Sequence, residues 1–175
     1  MIRGIQITAI GLLCLLAAGC GQPNPQRPSR RMGQPQVDST AISMIRFNQH
    51  MREEADRALQ AKALSNPDEV YALYQWGAWV HIINPGDEDA GKPQRDEECE
   101  IHMLIYSLDG RLYCDDARIV TLGKYEIPVA VDWNILEWYH GAKVKMLVPW
   151  YSAYGVKGTD AIPPYENIVI DLDIK

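Results

Sequence analysis

The sequence predicts an α+β domain: an antiparallel sheet with one short internal helix, behind an N-terminal amphipathic helix. A change of period and a turn carry that prediction. Apolar residues before residue 66 recur at steps of three and four, whereas those after it alternate at steps of two. Between two of the alternating runs stands Asp109-Gly110, a strong signal for a two-residue hairpin turn. No internal repeat is present.

Taken in chain order, Met1 to Arg3 opens a short positive segment. Ile5 to Ala18 is mostly apolar and short for a bilayer span, and Leu16-Ala17-Ala18-Gly19-Cys20 closes it. Small residues before a Cys, directly after an apolar run, resemble a bacterial lipobox. The resemblance implies cleavage before Cys20, lipidation of its thiol and attachment to a membrane through that lipid; an ordinary signal peptide is the alternative. Gly21, rather than Asp, follows the Cys, which leans towards the outer membrane of a bacterial cell envelope. Residues 1–19 carry Arg3 alone among charged side chains. Their removal takes the formal net charge from −6 to −7, with 16 basic residues (17 less Arg3) against 23 acidic ones. That acidity, with no basic stripe, argues against nucleic acid as a partner and leaves the lipid, not charge, as the membrane anchor. Residues 20–37, rich in Pro, Gln and Arg, lack apolar periodicity and read as a tether.

Residues 38–67 read as the N-terminal helix. Asp38-Ser39-Thr40 offers the cap, Met44, Phe47, Met51, Ala55 and Ala58 form the apolar face, and Asn66-Pro67 ends it. It reads as a packing or spacing element, with partner binding as the other option. The main domain then spans residues 68–175. Tyr74 to Ile83 is a strand and Pro85-Gly86-Asp87 a turn; an acidic loop follows to Glu98. Glu100 to Leu108 pairs across Asp109-Gly110 with Arg111 to Cys114, leaving Asp115-Asp116 as a hairpin end. Asp132 is placed to cap a short helix running through His140, with Gly141 at its C′ position. Ala142 to Val148 is a further strand, and the last one alternates Ile168, Ile170, Leu172 and Ile174 inward.

Five short motifs occur in order: Leu108-Asp109-Gly110 with Tyr113, Leu122-Gly123-Lys124, Gly141-Ala142-Lys143-Val144, Ala153-Tyr154-Gly155 and Ile162-Pro163-Pro164. From about Trp79 to Lys175 the chain thereby resembles the FKBP-type peptidyl-prolyl cis-trans isomerases. The resemblance implies a curved antiparallel sheet wrapped around one short helix. It also implies an apolar pocket that binds proline-containing polypeptide segments and works without a cofactor. Carried over by motif, the catalytic residues are Tyr154, whose hydroxyl would bond a substrate carbonyl, and Tyr113, the aromatic of the return strand. The pocket walls are Met103, Cys114, Ile127, Pro128, Val131, Ile162 and Ile170, with Trp133 as the floor if the register slips. Three positions and one loop depart from the family pattern. Met103 stands where a Tyr follows the matching His102, Cys114 replaces an Asp, Ala130 replaces a Gly, and the loop from Tyr154-Gly155 to Ile162 is one residue shorter.

Other chemistry fails on spacing. Cys114 falls opposite Ile105, which puts Cys99 about 20 Å away at ~3.3 Å per residue, too far for a disulfide. His50, His81, His102 and His140 are scattered, and no metal site is expected. Asp115-Asp116 reads as a solvated turn or as the missing pocket carboxylate. Trp138 reads as core, and Trp150-Tyr151 as core or as an exposed ledge beside the pocket. Two functions stay open: a lipid-anchored prolyl isomerase assisting the folding of envelope proteins, or a catalytically weak binding and assembly module of an envelope complex.

Overall fold

A computed structural model describes residues 39–175, which form one compact unit. The leader, Cys20 and the tether lie outside the described residues. The first helix, α1, spans Ser39–Ala63. Strands β1 (Ala72–Leu73), β2 (Trp79–Asn84), β3 (Glu98–Ser107) and β4 (Leu112–Thr121) precede the short helix α2 (Val129–Asn134). Strands β5 (Lys143–Val148) and β6 (Ile168–Ile174) follow. The six strands form one antiparallel sheet in the order β1-β2-β5-β6-β3-β4.

Strand alternation sorts the side chains onto two faces. On the inner face Ile101, Met103 and Ile105 of β3, Val144 and Met146 of β5, and Ile168, Ile170, Leu172 and Ile174 of β6 pack with Ala130, Val131 and Ile135. On the outer face Leu147 of β5 packs with Leu59 and Ala63 of α1, flanked by Tyr71, Trp79, Leu108 and Val169. The sheet therefore carries α2 on one face and the C-terminal half of α1 on the other.

Several boundaries differ from those the sequence predicts. The buried stripe of α1 is Ala55, Leu59 and Ala63; Met44, Phe47 and Ala58 are exposed, and only Met51 is partly covered. The helix stops at Ala63, before Asn66-Pro67. Tyr74–Ile83 is not one strand, because a left-handed Trp76 (φ 62°) breaks it with a short 3-10 turn between β1 and β2. Pro128, with extended ψ of 136°, takes the N-cap position of α2. Asp132 lies inside that helix and accepts the Gly123 N–H at 2.8 Å. Helical structure ends at Glu137, and Gly141 donates instead to the Ile174 carbonyl at 2.9 Å.

The β3–β4 hairpin differs twice, and the two differences cancel. Its loop has three residues, Leu108 to Gly110. Gly110 sits at φ 90°, and Ser107 closes the loop by exchanging backbone bonds with Arg111 and Gly110. A bulge at Tyr113 then restores the expected register, so Ile105 does pair with Cys114. The strand runs on to Thr121, so Asp115-Asp116 is no hairpin end.

Candidate functional site

Tyr154 follows the short 3-10 turn Trp150–Ser152, in the loop between β5 and β6. That loop is closed by local bonds. Gly155 N–H donates to the Trp150 carbonyl at 2.8 Å, and Tyr165 N–H to the Gly155 carbonyl at 3.2 Å. At its far end Thr159 and Ile162 bond each other, and the Thr159 hydroxyl accepts the Ile162 N–H at 3.0 Å. Gly158 is required there: a Cβ would lie 2.2 Å from the Ile162 carbonyl oxygen. The backbone of Ile162 and Pro163 thus passes directly against Gly158. Ile162 itself lies in the core at 3% exposure.

The Tyr154 ring is half-buried against the inner core together with Tyr113 and Cys114. Burial pushes its hydroxyl up to about 12, helped by Cys114 and Asp116 and opposed by Arg118. The group is therefore a neutral donor, and among the described residues no protein hydrogen bond takes it up. Asp116 lies opposite Met103 on the same face as Cys114, and its carboxylate meets Arg118 Nε at 3.2 Å. Arg118 also donates to the Glu126 carbonyl at 2.9 Å, just before Ile127. Asp115 points to the other face and bonds His102 at 2.7 Å. Of the acidic pair, Asp116 is the one that shares a face with Cys114, two residues beyond it, and its charge is among those that raise the Tyr154 hydroxyl.

The remaining predicted residues fall into two groups. Met103, Val131 and Ile170 have no accessible surface, and Ile127, Pro128 and Ile162 are buried. They make up the core beneath Tyr154 rather than an open wall. Tyr113, by contrast, sits at the bulge with Arg111 over its ring at 4.7 Å, and its hydroxyl donates to Glu166 at 2.9 Å. It borders a cleft of about 390 Å³ lined also by Ser107, Asp109, Pro163 and Glu166. Trp133 is not the floor: it carries Arg95 over its ring at 4.0 Å and faces Trp76. Cys99 and Cys114 are both free thiols.

Sequence reasoning missed how Trp150, Tyr151 and Tyr165 are used. Trp150 is buried at 6% exposure, so Trp150-Tyr151 is no exposed ledge. Its ring stacks edge-on with Tyr165 at 4.8 Å, and its Nε1 donates to the Met51 carbonyl. The signal was present as an excess of aromatics flanking the loop, but nothing in a one-dimensional pattern names α1 as their partner.

Compared with solved structures, the chain is similar to a peptidyl-prolyl cis-trans isomerase from Pseudomonas syringae pv. tomato. The TM-score is 0.60 at 19% identity, over 72% of this chain and 92% of that one. It is also similar to AtFKBP13, with a TM-score of 0.55 at 16% identity over 59% and 95% of the two chains. For the N-terminal domain of FKBP42 from Arabidopsis thaliana the TM-score is 0.53 at 18% identity over 62% and 92%. The fold is that of the FKBP-type peptidyl-prolyl isomerases. No protein-family model and no curated protein sequence matches the chain.

Proposed function

We propose that this chain is a peptidyl-prolyl cis-trans isomerase. It acts on proline-containing segments of envelope proteins, and a lipid on Cys20 holds it to the outer membrane of the cell envelope. The observation that carries the reading is the Tyr154 hydroxyl, a neutral and unengaged donor at the rim of an apolar core with the Asp116–Arg118 pair beside it. An X-Pro amide resists rotation because its C–N bond has partial double-bond character. Apolar surroundings favour the twisted amide, which has lost that resonance, and a donor at the substrate carbonyl fixes the peptide across the bond. The chemistry needs only this differential binding, with no covalent step and no cofactor.

The test is isomerisation of X-Pro peptides followed by NMR exchange, with the folded protein at catalytic concentration. Acceleration over buffer supports the reading, and none from a folded sample removes it. Tyr154→Phe should lower kcat/KM about fivefold, the worth of one hydrogen bond. A binding and assembly module is the second reading. It is favoured by the complete burial of Met103, Val131 and Ile170, which leaves no deep slot under Tyr154. A stable partner captured from solubilised membranes, with no catalysis, would select it. The anchor is tested by Cys20→Ala, which should abolish incorporation of labelled fatty acid.

A further inference from the structure

Only the C-terminal half of α1 is held by burial: Ala55, Leu59 and Ala63 are its buried residues. Its N-terminal half buries no side chain fully, yet contacts from Phe47 through Asp56, across the middle of the helix, converge on one place. Asn48 Oδ1 accepts the Tyr165 hydroxyl at 3.1 Å, and the Met51 carbonyl accepts Trp150 Nε1 at 3.3 Å. Asp56 accepts the Tyr151 hydroxyl at 2.6 Å. Phe47 meets the Tyr165 ring edge-on at 5.8 Å, and Arg52 lies over the Tyr151 ring at 4.2 Å. These three aromatics are the two ends of the loop that carries Tyr154.

Tyr165 is held in the left-handed region at φ 58°, which is unfavourable for a side chain of its size. Its own N–H reaches Gly155, next to Tyr154. The following residues are pinned as well, since Glu166 accepts the Tyr113 hydroxyl and Asn167 accepts the Trp150 N–H at 3.0 Å. A segment fixed in an unfavourable conformation from two opposite sides is over-determined, and the loop position inherits that rigidity.

We propose that α1 is a buttress for the β5–β6 loop and that Asn48, acting through Tyr165, is a positioning residue for Tyr154. The catalytic half of this proposal rests on the isomerase reading above. The coupling between helix and loop does not.

The experiment compares the full-length protein with Asn48→Ala, Asn48→Asp and Tyr165→Phe. Two quantities are measured: amide hydrogen exchange along the chain, and kcat and KM on an X-Pro peptide. Asn48→Ala and Tyr165→Phe each remove one hydrogen bond. Each should raise opening of the Gly155, Gly158 and Thr159 amides about fivefold while amides of β3, β5 and β6 keep their protection. Catalysis should fall about fivefold in kcat with KM held within about twofold, since the defect lies in placing the donor. Asn48→Asp keeps an acceptor and should restore both. Unchanged loop exchange in Asn48→Ala and Tyr165→Phe overturns the proposal, as does exchange that rises equally in loop and strands. Loss of activity through KM alone overturns the catalytic half. If the wild-type protein is inactive, the isomerase reading falls, and the exchange measurement still decides whether α1 sets the loop.

Discussion

At the scale of single residues, Tyr154 and its neighbours make the protein sensitive to alkali. The Tyr154 hydroxyl is pushed from 10.0 up to about 12, mainly by burial. Tyr151 is also pushed up to about 12, by burial first and by its bond to Asp56 second. The buried Cys99 thiol is pushed from 9.0 up to about 11. In each case the folded state holds its proton more tightly than the unfolded chain. Stability from these groups is therefore complete below the unfolded values and is lost as the pH rises through the folded ones. Urea melts should give a constant midpoint up to about pH 9 and a falling one to about pH 12. Tyr154→Phe and Tyr151→Phe should each flatten the fall; curves parallel to wild type would show that these hydroxyls are not the cause. Tyr154 was legible in the sequence because Ala153-Tyr154-Gly155 is a local motif. Asp116 was legible only as one of an acidic pair that was open to two readings, a turn or a pocket carboxylate, because choosing between them depends on a strand that continues past Cys114. Four of the residues that follow Cys114, from Asp115 to Arg118, show no apolar alternation. They lie on an edge strand, where charge is favoured because it discourages pairing with other chains.

At the scale of elements, α1 divides into two halves with different physics. Leu59 is fully buried against Ala63 and Leu147, whereas Met44 and Phe47 stay more than half exposed. Leu59→Ala should therefore cost about 2–5 kcal/mol by chemical denaturation, as a buried leucine does. Met44→Ala should change stability by less than about 0.5 kcal/mol. Equal effects would mean that the helix packs along its whole length. The helical period was plain in the sequence, but the choice of stripe was only partly so: of Met44, Phe47, Met51, Ala55 and Ala58, Ala55 alone belongs to the buried stripe, which continues to Leu59 and Ala63. What decides the stripe is the outward-facing Leu147 and Trp79, and those belong to strands read only for their inner face. The hairpin shows the converse. Its pairing of Ile105 with Cys114 was right although the turn was read one residue too short and the return strand was ended at Cys114 instead of Thr121, because the bulge at Tyr113 offsets the longer loop.

At the scale of the whole molecule, fold class and the inner face of β6 were legible because burial on one side imposes a strict period of two. Strand order was not, since nothing local says which edges meet. The observed order places β6, the last strand in the chain, between β5 and β3. It pairs with β3 from Ile101 to Ser107 and with β5 from Lys143 to Val148. A chain ending at Asn167 should consequently show no slowly exchanging amides in β3 or β5, a result that hydrogen exchange would settle. The same placement shapes how the protein is made. While the chain leaves the ribosome, β1, β2 and β5 can form only one ribbon, and β3 with β4 only another. Both ribbons expose apolar faces until β6 arrives to stitch them together. Contacts so distant in sequence fold slowly. The sheet is therefore continuous only once β6 lies between the edges of β5 and β3.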